Sequence, residues 1–373
     1  MPVPLLDLKA QHATIRDEIV GAMMDVVDSQ LFILGEPVAK LEEDVAKLSR
    51  TRHAIGCASG TDALLLAFRA LDIGQGDEVV TTPFTFFATA GTIHNVGAKP
   101  VFADIEPRTF NIDPAAAKAV VSSRTKAIVP VDLFGQMAAL ECVRELLPSL
   151  PIIEDAAQSI GATRQIGKEG GGTVMAGEAA TIGTFSFFPS KNLGGYGDGG
   201  MMVTQDDHLA ERLRRLRVHG GLKTYFHDEV GYNSRLDTLQ AAVLRAKLKH
   251  LEKWSERRRE NARRYNEAFA DVAQVETPFV DPKNISIFNQ YTLRAERRDE
   301  LQKHLNARKI GSSVYYPLPL HLQPCFAYLG YKEGAFPESE RAAKEVISLP
   351  VFPELTREQQ DEVVGAVRDF YKR

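Results

Sequence analysis

Cysteine is scarce: Cys57, Cys142 and Cys325 are the only three in 373 residues, and they lie far apart. With no CxxC pair they make no disulfide framework, so a reducing cytoplasm is the expected compartment. No uncharged apolar stretch reaches the roughly 18 residues that span a bilayer. The opening MPVPLLDLKAQ lacks the basic and apolar regions of a secretion signal, so a soluble chain without a membrane partner is expected. Neither sign of charge dominates. The 45 Lys+Arg face 49 Asp+Glu, net −4, which argues against a general affinity for nucleic acid. Nine histidines include no HExxH and no close Cys/His cluster, so no metal site is expected. No repeat of fixed period is present. Hydrophobic residues at 44% and charged residues at 25% exclude disordered and collagen-like classes.

What is present is a recurring short β-type run followed by a helical run. HAIGCAS at 53–59 leads into TDALLLAFRALDI, and EVVTT at 78–82 into FTFFATAGTIHNVG. Further strand-like runs lie at 100–104, 126–133, 151–155, 181–188 and 199–205. Several are apolar on both parities, as strands buried on both faces are. The pattern predicts an α/β fold with a mostly parallel central sheet covered by helices.

From Leu236 the character changes. Residues 236–270 read as one long helix ending in the charge-rich SERRRENARRYNEAF, whose mixed signs suit a solvated face. Beyond Pro278 the pattern becomes α+β, with ISIFNQYTLRA as a strand and RRDELQKHLNAR and TREQQDEVVGAVRDFYKR as helices. The expected division is a large domain of residues 1–250 and a small C-terminal α+β domain of residues 251–373.

Lys191 follows an apolar strand and a proline and precedes the glycine run NLGGYGDGG. A lysine in a partly desolvated pocket is neutral more often, and the neutral amine forms Schiff bases. Lowering its pKa from about 10.4 to near 7 costs roughly 4–5 kcal/mol in the charged form, at about 1.36 per unit. The alternative is a lysine on a surface loop. Asp155 ends the apolar run PIIED, at the carboxyl end of a strand where α/β proteins bind ligands. It suits a cationic ring nitrogen, or equally a helix N-cap. Ser59-Gly60-Thr61-Asp62 opens a helix, where free N–H groups attract phosphate; plain capping is the alternative. Ser186, five residues before Lys191, adds a second phosphate contact. Phe86 in PFTFFAT is a candidate to stack on a planar ring or to pack in the core. Together these are the parts of one pyridoxal 5′-phosphate (PLP) site: aldehyde-trapping lysine, ring-nitrogen carboxylate, phosphate cradle and stacking aromatic.

The motifs PLLDLKAQ, LGEPVAKLE, SGTDAL, PFTFFAT, EDAAQSIGA, SFFPSKNLGGYGDGG, NSRLDTLQAA and YYPLPLHLQP occur in order over nearly the whole length. On them the chain resembles the DegT-type PLP-dependent sugar-nucleotide aminotransferases, which have the fold-type-I architecture. The last two motifs look most like the branch that aminates UDP-linked 2-acetamido-3-keto-hexuronates. The resemblance implies that Lys191 holds PLP as a Schiff base and serves as general acid and base. It implies that Asp155 binds the ring nitrogen and that Gln158 lies beside the ring. Gly60, Thr61 and Ser186 would hold the phosphate and Phe86 would stack. Asn233 would reach the phosphate from a neighbouring subunit, making a homodimer with shared active sites. Arg235 would meet an acidic group of the substrate, unless it serves an interface ion pair. Tyr316 and His321 would lie near the sugar, unless they only pack the PLPLHLQP turn.

Two departures bear on this. Tyr315 stands where related chains often have His before Tyr-Pro, which touches the sugar contacts there. Family dehydratases carry His in place of the Schiff-base lysine; Lys191 therefore favours transamination. The implied reaction is ping-pong, with L-glutamate giving its amino group and leaving as 2-oxoglutarate before a nucleotide-linked keto-sugar is aminated. A dTDP-linked or other keto-6-deoxyhexose is an alternative substrate. A PLP- or sugar-binding sensor without turnover is a second class. A nicotinamide oxidoreductase is disfavoured, because GGYGDGG lacks G-x-G-x-x-G spacing.

Overall fold

In a computed structural model, which describes residues 2–167 and 171–372, seven strands build the central sheet. They are β1 (His53–Cys57), β2 (Glu78–Thr81), β3 (Lys99–Phe102), β4 (Thr125–Val129), β5 (Ile153–Asp155), β6 (Ile182–Ser186) and β7 (Gly200–Thr204). β2 pairs in parallel with β3 and β4, and β5 with β6. Parallel bridges Ile128–Ile152 and Val131–Asp155 join β4 to β5. β7 runs antiparallel to both β6 and β1. The order is therefore β1-β7-β6-β5-β4-β2-β3, parallel apart from β7.

Both faces are covered, which explains the absence of polar alternation in the strands. Along β7, Met201 and Val203 pack with Val38, Leu41 and Val45 of helix Glu36–Leu48 and with Leu244. Met202, between them, faces the other way, onto Leu64 and Phe68 of helix Gly60–Ala70 and Leu213 of helix Asp207–Leu216. The period-2 turn of the strand sends successive apolar side chains into two cores.

The expected long helix is two, Thr238–Leu248 and Leu251–Phe269, interrupted at Lys249–His250. Arg257 pairs with Glu260 and Arg259 with Glu252 and Glu256 on the same helix, Arg264 reaches Asp361 on the last helix, and Arg258 is buried, donating to the Phe288 and Asn289 carbonyls. A separate core gathers Tyr265, Phe269, Tyr291, Leu301, Ile347 and Val363 around a sheet of Val275–Glu276, Tyr291–Ala295 and Val346–Leu349. Val3, expected with the large domain, bridges Ile310 and lies in this second core. The described residues contain no helix long and apolar enough to cross a membrane.

Candidate active site

The carboxyl ends of β5 and β6 are neighbours, and Asp155 and Lys191 converge there. Asp155 is 5% exposed. Its Oδ2 accepts from Thr89 Oγ1 at 2.8 Å and its Oδ1 from the Ala157 N–H at 3.3 Å. Burial pushes its carboxyl up from the usual range; Thr89, Ala157 and the Lys191 charge oppose that. Burial pushes the Lys191 amine down from 10.5 to about 8, with Asp155 pulling the other way. Among the described residues, the Lys191 Nζ makes no hydrogen bond.

The loop that carries Lys191 is held on every side. The Lys191 N–H donates to Phe188 O at 2.9 Å, closing a turn after β6. Asn192 Nδ2 donates to Ile287 O and its Oδ1 accepts from Asn289 Nδ2 at 2.7 Å. From helix Thr238–Leu248, Gln240 Oε1 accepts from the Tyr196 N–H at 2.7 Å, and Lys247 Nζ donates to Gly194 O at 2.6 Å. Lys247 is itself 3% exposed, and burial lowers it to about 8.

Gln158 is fixed by a directed chain. Its Oε1 accepts from the Phe134 N–H at 2.7 Å, so its amide nitrogen must face outward, where Nε2 lies 3.2 Å from Tyr316 Oη. Phe134 adopts a left-handed φ of 61° to present that N–H, a conformation that costs a non-glycine residue energy. Phe86 caps the start of helix Phe87–Asn95 and is 58% exposed, its ring 6.3 Å from that of Tyr316. A bare aromatic face of this size suits a planar partner.

Gly60 opens helix Gly60–Ala70 against Ser186. A Cβ at Gly60 would lie 2.6 Å from the Ser186 Cβ, so only glycine permits the approach. Ser59 Oγ caps the Asp62 N–H at 3.0 Å, the capping role considered from the sequence. It leaves the Gly60 and Thr61 N–H groups with no acceptor among the described residues, at the positive end of the helix. Ser234 Oγ donates to Asp62 Oδ2 at 2.6 Å and ties the NSR segment to this corner. Asn233 is exposed in the single chain and bridges Val218. Arg235 Nε is buried with no partner among the described residues.

His321 is placed differently from its neighbours in the motif. It is 2% exposed, its Nε2 meets Glu340 Oε1 at 3.0 Å, and Phe336 packs edge-on against its ring. Glu340 also accepts from the Gly334 and Phe336 N–H groups. Burial lowers the His321 pKa, keeping the ring neutral at pH 7. That is a packing arrangement around the PLPLHLQP turn, with Nδ1 unpartnered among the described residues. Sequence reasoning missed Thr89, which holds Asp155, and Asp132 and Ser159, which lie behind it. Thr89 had one usable signal, its place on the helix that Phe86 caps.

Residues 13–368 match the DegT/DnrJ/EryC1/StrS aminotransferase family. The chain belongs to this family. A "pleiotropic regulatory protein" of Geobacillus stearothermophilus is 53% identical over 100% of the chain and 99% of its own length. A UDP-N-acetyl-3-dehydro-α-D-glucosamine 3-aminotransferase of Acidithiobacillus ferrooxidans is 44% identical over 98% of the chain and 97% of its own. A dTDP-3-amino-3,4,6-trideoxy-α-D-glucose transaminase of Streptomyces venezuelae is 41% identical over 100% and 97%. The crystal structure of DesV from S. venezuelae, solved with a ketimine intermediate, superposes with a TM-score of 0.96 at 41% identity, covering 100% of this chain and 99% of that one. The fold is therefore fold-type I, and the protein is a PLP-dependent sugar aminotransferase. Its own residues fit the cofactor. The close approach at Gly60, the free N–H groups of the first helical turn, the bare Phe86 ring and the half-buried Lys191 facing the buried Asp155 each match one part of PLP. Among the described residues no His, Cys, Asp and Glu cluster suits a metal ion.

Proposed function

We propose that this aminotransferase uses L-glutamate to aminate a UDP-linked 2-acetamido-3-keto-hexuronate, working as a homodimer with shared sites. The observation that carries the reading of the site is Asp155, at the end of β5, facing Lys191 on the loop that follows the adjacent parallel strand β6. The 44% identity to a UDP-linked 3-keto-sugar aminotransferase supports the sugar. The unpartnered Arg235 Nε in the NSRLD segment supports an acid on it. The 41% identity to a dTDP-sugar transaminase favours a second reading, a dTDP-linked keto-6-deoxyhexose.

Bound PLP supplies an electrophilic carbon and a ring that spreads the charge left when a carbon-bound proton departs. The chain's residues do the rest. Lys191 Nζ anchors the cofactor and afterwards moves the proton at the donor Cα. With its pKa lowered to about 8, far more of the amine is neutral near pH 7.5 than at the ordinary value. Asp155, ionised, keeps the ring nitrogen protonated, and Thr89 keeps Asp155 oriented. The Gln158 amide, held by Phe134, faces the ring substituents. Gly60, Thr61 and Ser186 take the phosphate, Phe86 covers a ring face, and Asn233 completes the phosphate site of the partner subunit. Tyr316 contributes its hydroxyl to the sugar side; it is half-buried, and the loss of solvent around its hydroxyl raises its pKa and keeps it protonated.

The test is an absorbance spectrum of purified protein before and after L-glutamate, then product analysis with UDP-linked hexuronate, UDP-linked hexosamine and dTDP-linked keto-sugars. Spectral conversion by glutamate with turnover of the hexuronate is expected. Preference for the dTDP sugar overturns the substrate. Absence of a cofactor band after adding PLP overturns the site.

A further inference from the structure

Directly behind Asp155 lie two more acids, both 0% exposed: Glu154, its neighbour on β5, and Asp132, just beyond β4. Asp132 Oδ1 accepts from the Ala138 N–H at 2.8 Å and Oδ2 from Ser159 Oγ at 2.7 Å. Glu154 Oε2 accepts from the Gly177 N–H at 3.0 Å. Glu154 Oε1 has no donor within the described residues and is fully buried. The Asp132 carboxyl is within hydrogen-bonding reach of the Glu154 carboxyl. Two carboxylates cannot bond without a hydrogen between them, and a buried oxygen left without a donor is costly. The charges acting on Glu154 are those of Asp132 and Asp155, both negative, so ionising it gains nothing.

We propose that Glu154 and Asp132 share one proton, carried on Glu154, and that this acid pair positions the turn from Asp155 to Ser159. The ring-nitrogen role of Asp155, on which the functional half of this rests, is that of the proposed function. Asp132 is the junction. Its backbone N–H donates to Asp155 O at 3.0 Å, while its carboxylate holds Ser159, the residue after Gln158, and the Ala138 end of the loop that contains Phe134. Phe134 in turn orients Gln158. With the proton present, the pair carries one negative charge and every oxygen has a partner. Without it, two buried carboxylates repel and the turn that presents Asp155 and Gln158 loosens. Burial and the facing negative charges push the Glu154 carboxyl well up, in keeping with a proton there at neutral pH. Glu154 is thus a positioning residue, acting through Asp132 rather than on the reactants.

Glu154→Gln imitates the protonated acid: its amide donates to Asp132 and its oxygen accepts from Gly177. Infrared difference spectra of cofactor-free protein at pH 7, wild type minus Glu154→Gln, should contain the carbonyl band of a protonated carboxylic acid that shifts in D2O. Absorbance titration with PLP should give Glu154→Gln an affinity within about threefold of wild type. Glu154→Ala should lose roughly tenfold or more, the worth of a hydrogen bond to a charged group. Absence of the band, or a Gln variant binding no better than the Ala variant, overturns the proposal. Should Glu154→Ala fail to fold, the band and the Gln variant decide alone. Wild type that binds no PLP but shows the band refutes the cofactor assignment and leaves the shared proton standing.

Discussion

Thr89→Val removes one hydroxyl and keeps the side-chain shape, so it takes away the Thr89–Asp155 hydrogen bond together with the Thr85–Thr89 bond that supports it. The bond to Asp155 is 2.8 Å long and buried. Thr85 Oγ1 lies 3.0 Å from Thr89 Oγ1; since an ionised Asp155 only accepts, Thr85 donates to Thr89 and Thr89 to Asp155. A hydrogen bond to a charged group contributes about 1.5–3 kcal/mol. At about 1.36 kcal/mol per unit, its loss raises the Asp155 pKa by roughly one to two units. This adds to the rise that burial already causes. A less acidic-state-resistant Asp155 holds the ring-nitrogen proton less firmly, and the glutamate half-reaction should slow by about 10- to 100-fold. The assay is stopped-flow absorbance at saturating glutamate, from pH 6 to 9. Thr89→Ser should recover most of the rate. A Thr89→Val rate within twofold of wild type across that range, or a Ser variant slower than the Val variant, refutes the reasoning.

Lys191→Met should abolish turnover yet raise the melting temperature of the cofactor-free protein at pH 7. The folded-state pKa near 8 lies below the unfolded value of 10.5, so the unfolded chain binds the proton more tightly and wild-type stability rises with pH between about 8 and 10.5; the gap to the Met variant should close over that window in calorimetry. Gly60→Ala drives a methyl to 2.6 Å from the Ser186 Cβ and should cost about 1–3 kcal/mol by overpacking, read by urea unfolding, together with weaker PLP binding. Mixing inactive Lys191→Ala and Asn233→Ala chains should restore part of the activity in heterodimers; no recovery despite verified mixing counts against Asn233 acting across subunits.

The seven sheet strands were legible because burial on both faces leaves a continuous apolar run between turn residues, and each expected run overlaps an observed strand. Asp155, which ends β5, and Lys191, on the loop after β6, stood out in the sequence because each breaks an apolar run. What escaped the sequence is relational. Thr89 is one of several threonines near Phe86, and nothing local marks it as the donor to a residue 66 positions away. The break at Lys249–His250 escaped because both flanking helices share one apolar periodicity. The burial of His321 followed from Glu340 and Phe336, residues on a later segment that gives the PLPLHLQP turn its partners.

The reversed direction of β7 has a consequence for the nascent chain. β1, at the sheet's edge, has β7 as its sheet neighbour among the described residues. Gly200, which begins β7, sits so close to Ser59 that a Cβ there would be 2.3 Å from the Ser59 carbonyl oxygen. The helix start at Gly60 and the loop of Lys191 thus become neighbours only when a strand made much later is slotted between β1 and β6. A chain leaving the ribosome holds its first strand without a sheet partner until then, and such a non-local pairing is of the kind that folds slowly. Cofactor capture therefore belongs after synthesis of β7, and fragments that end before Gly200 should neither bind PLP nor stay free of aggregation.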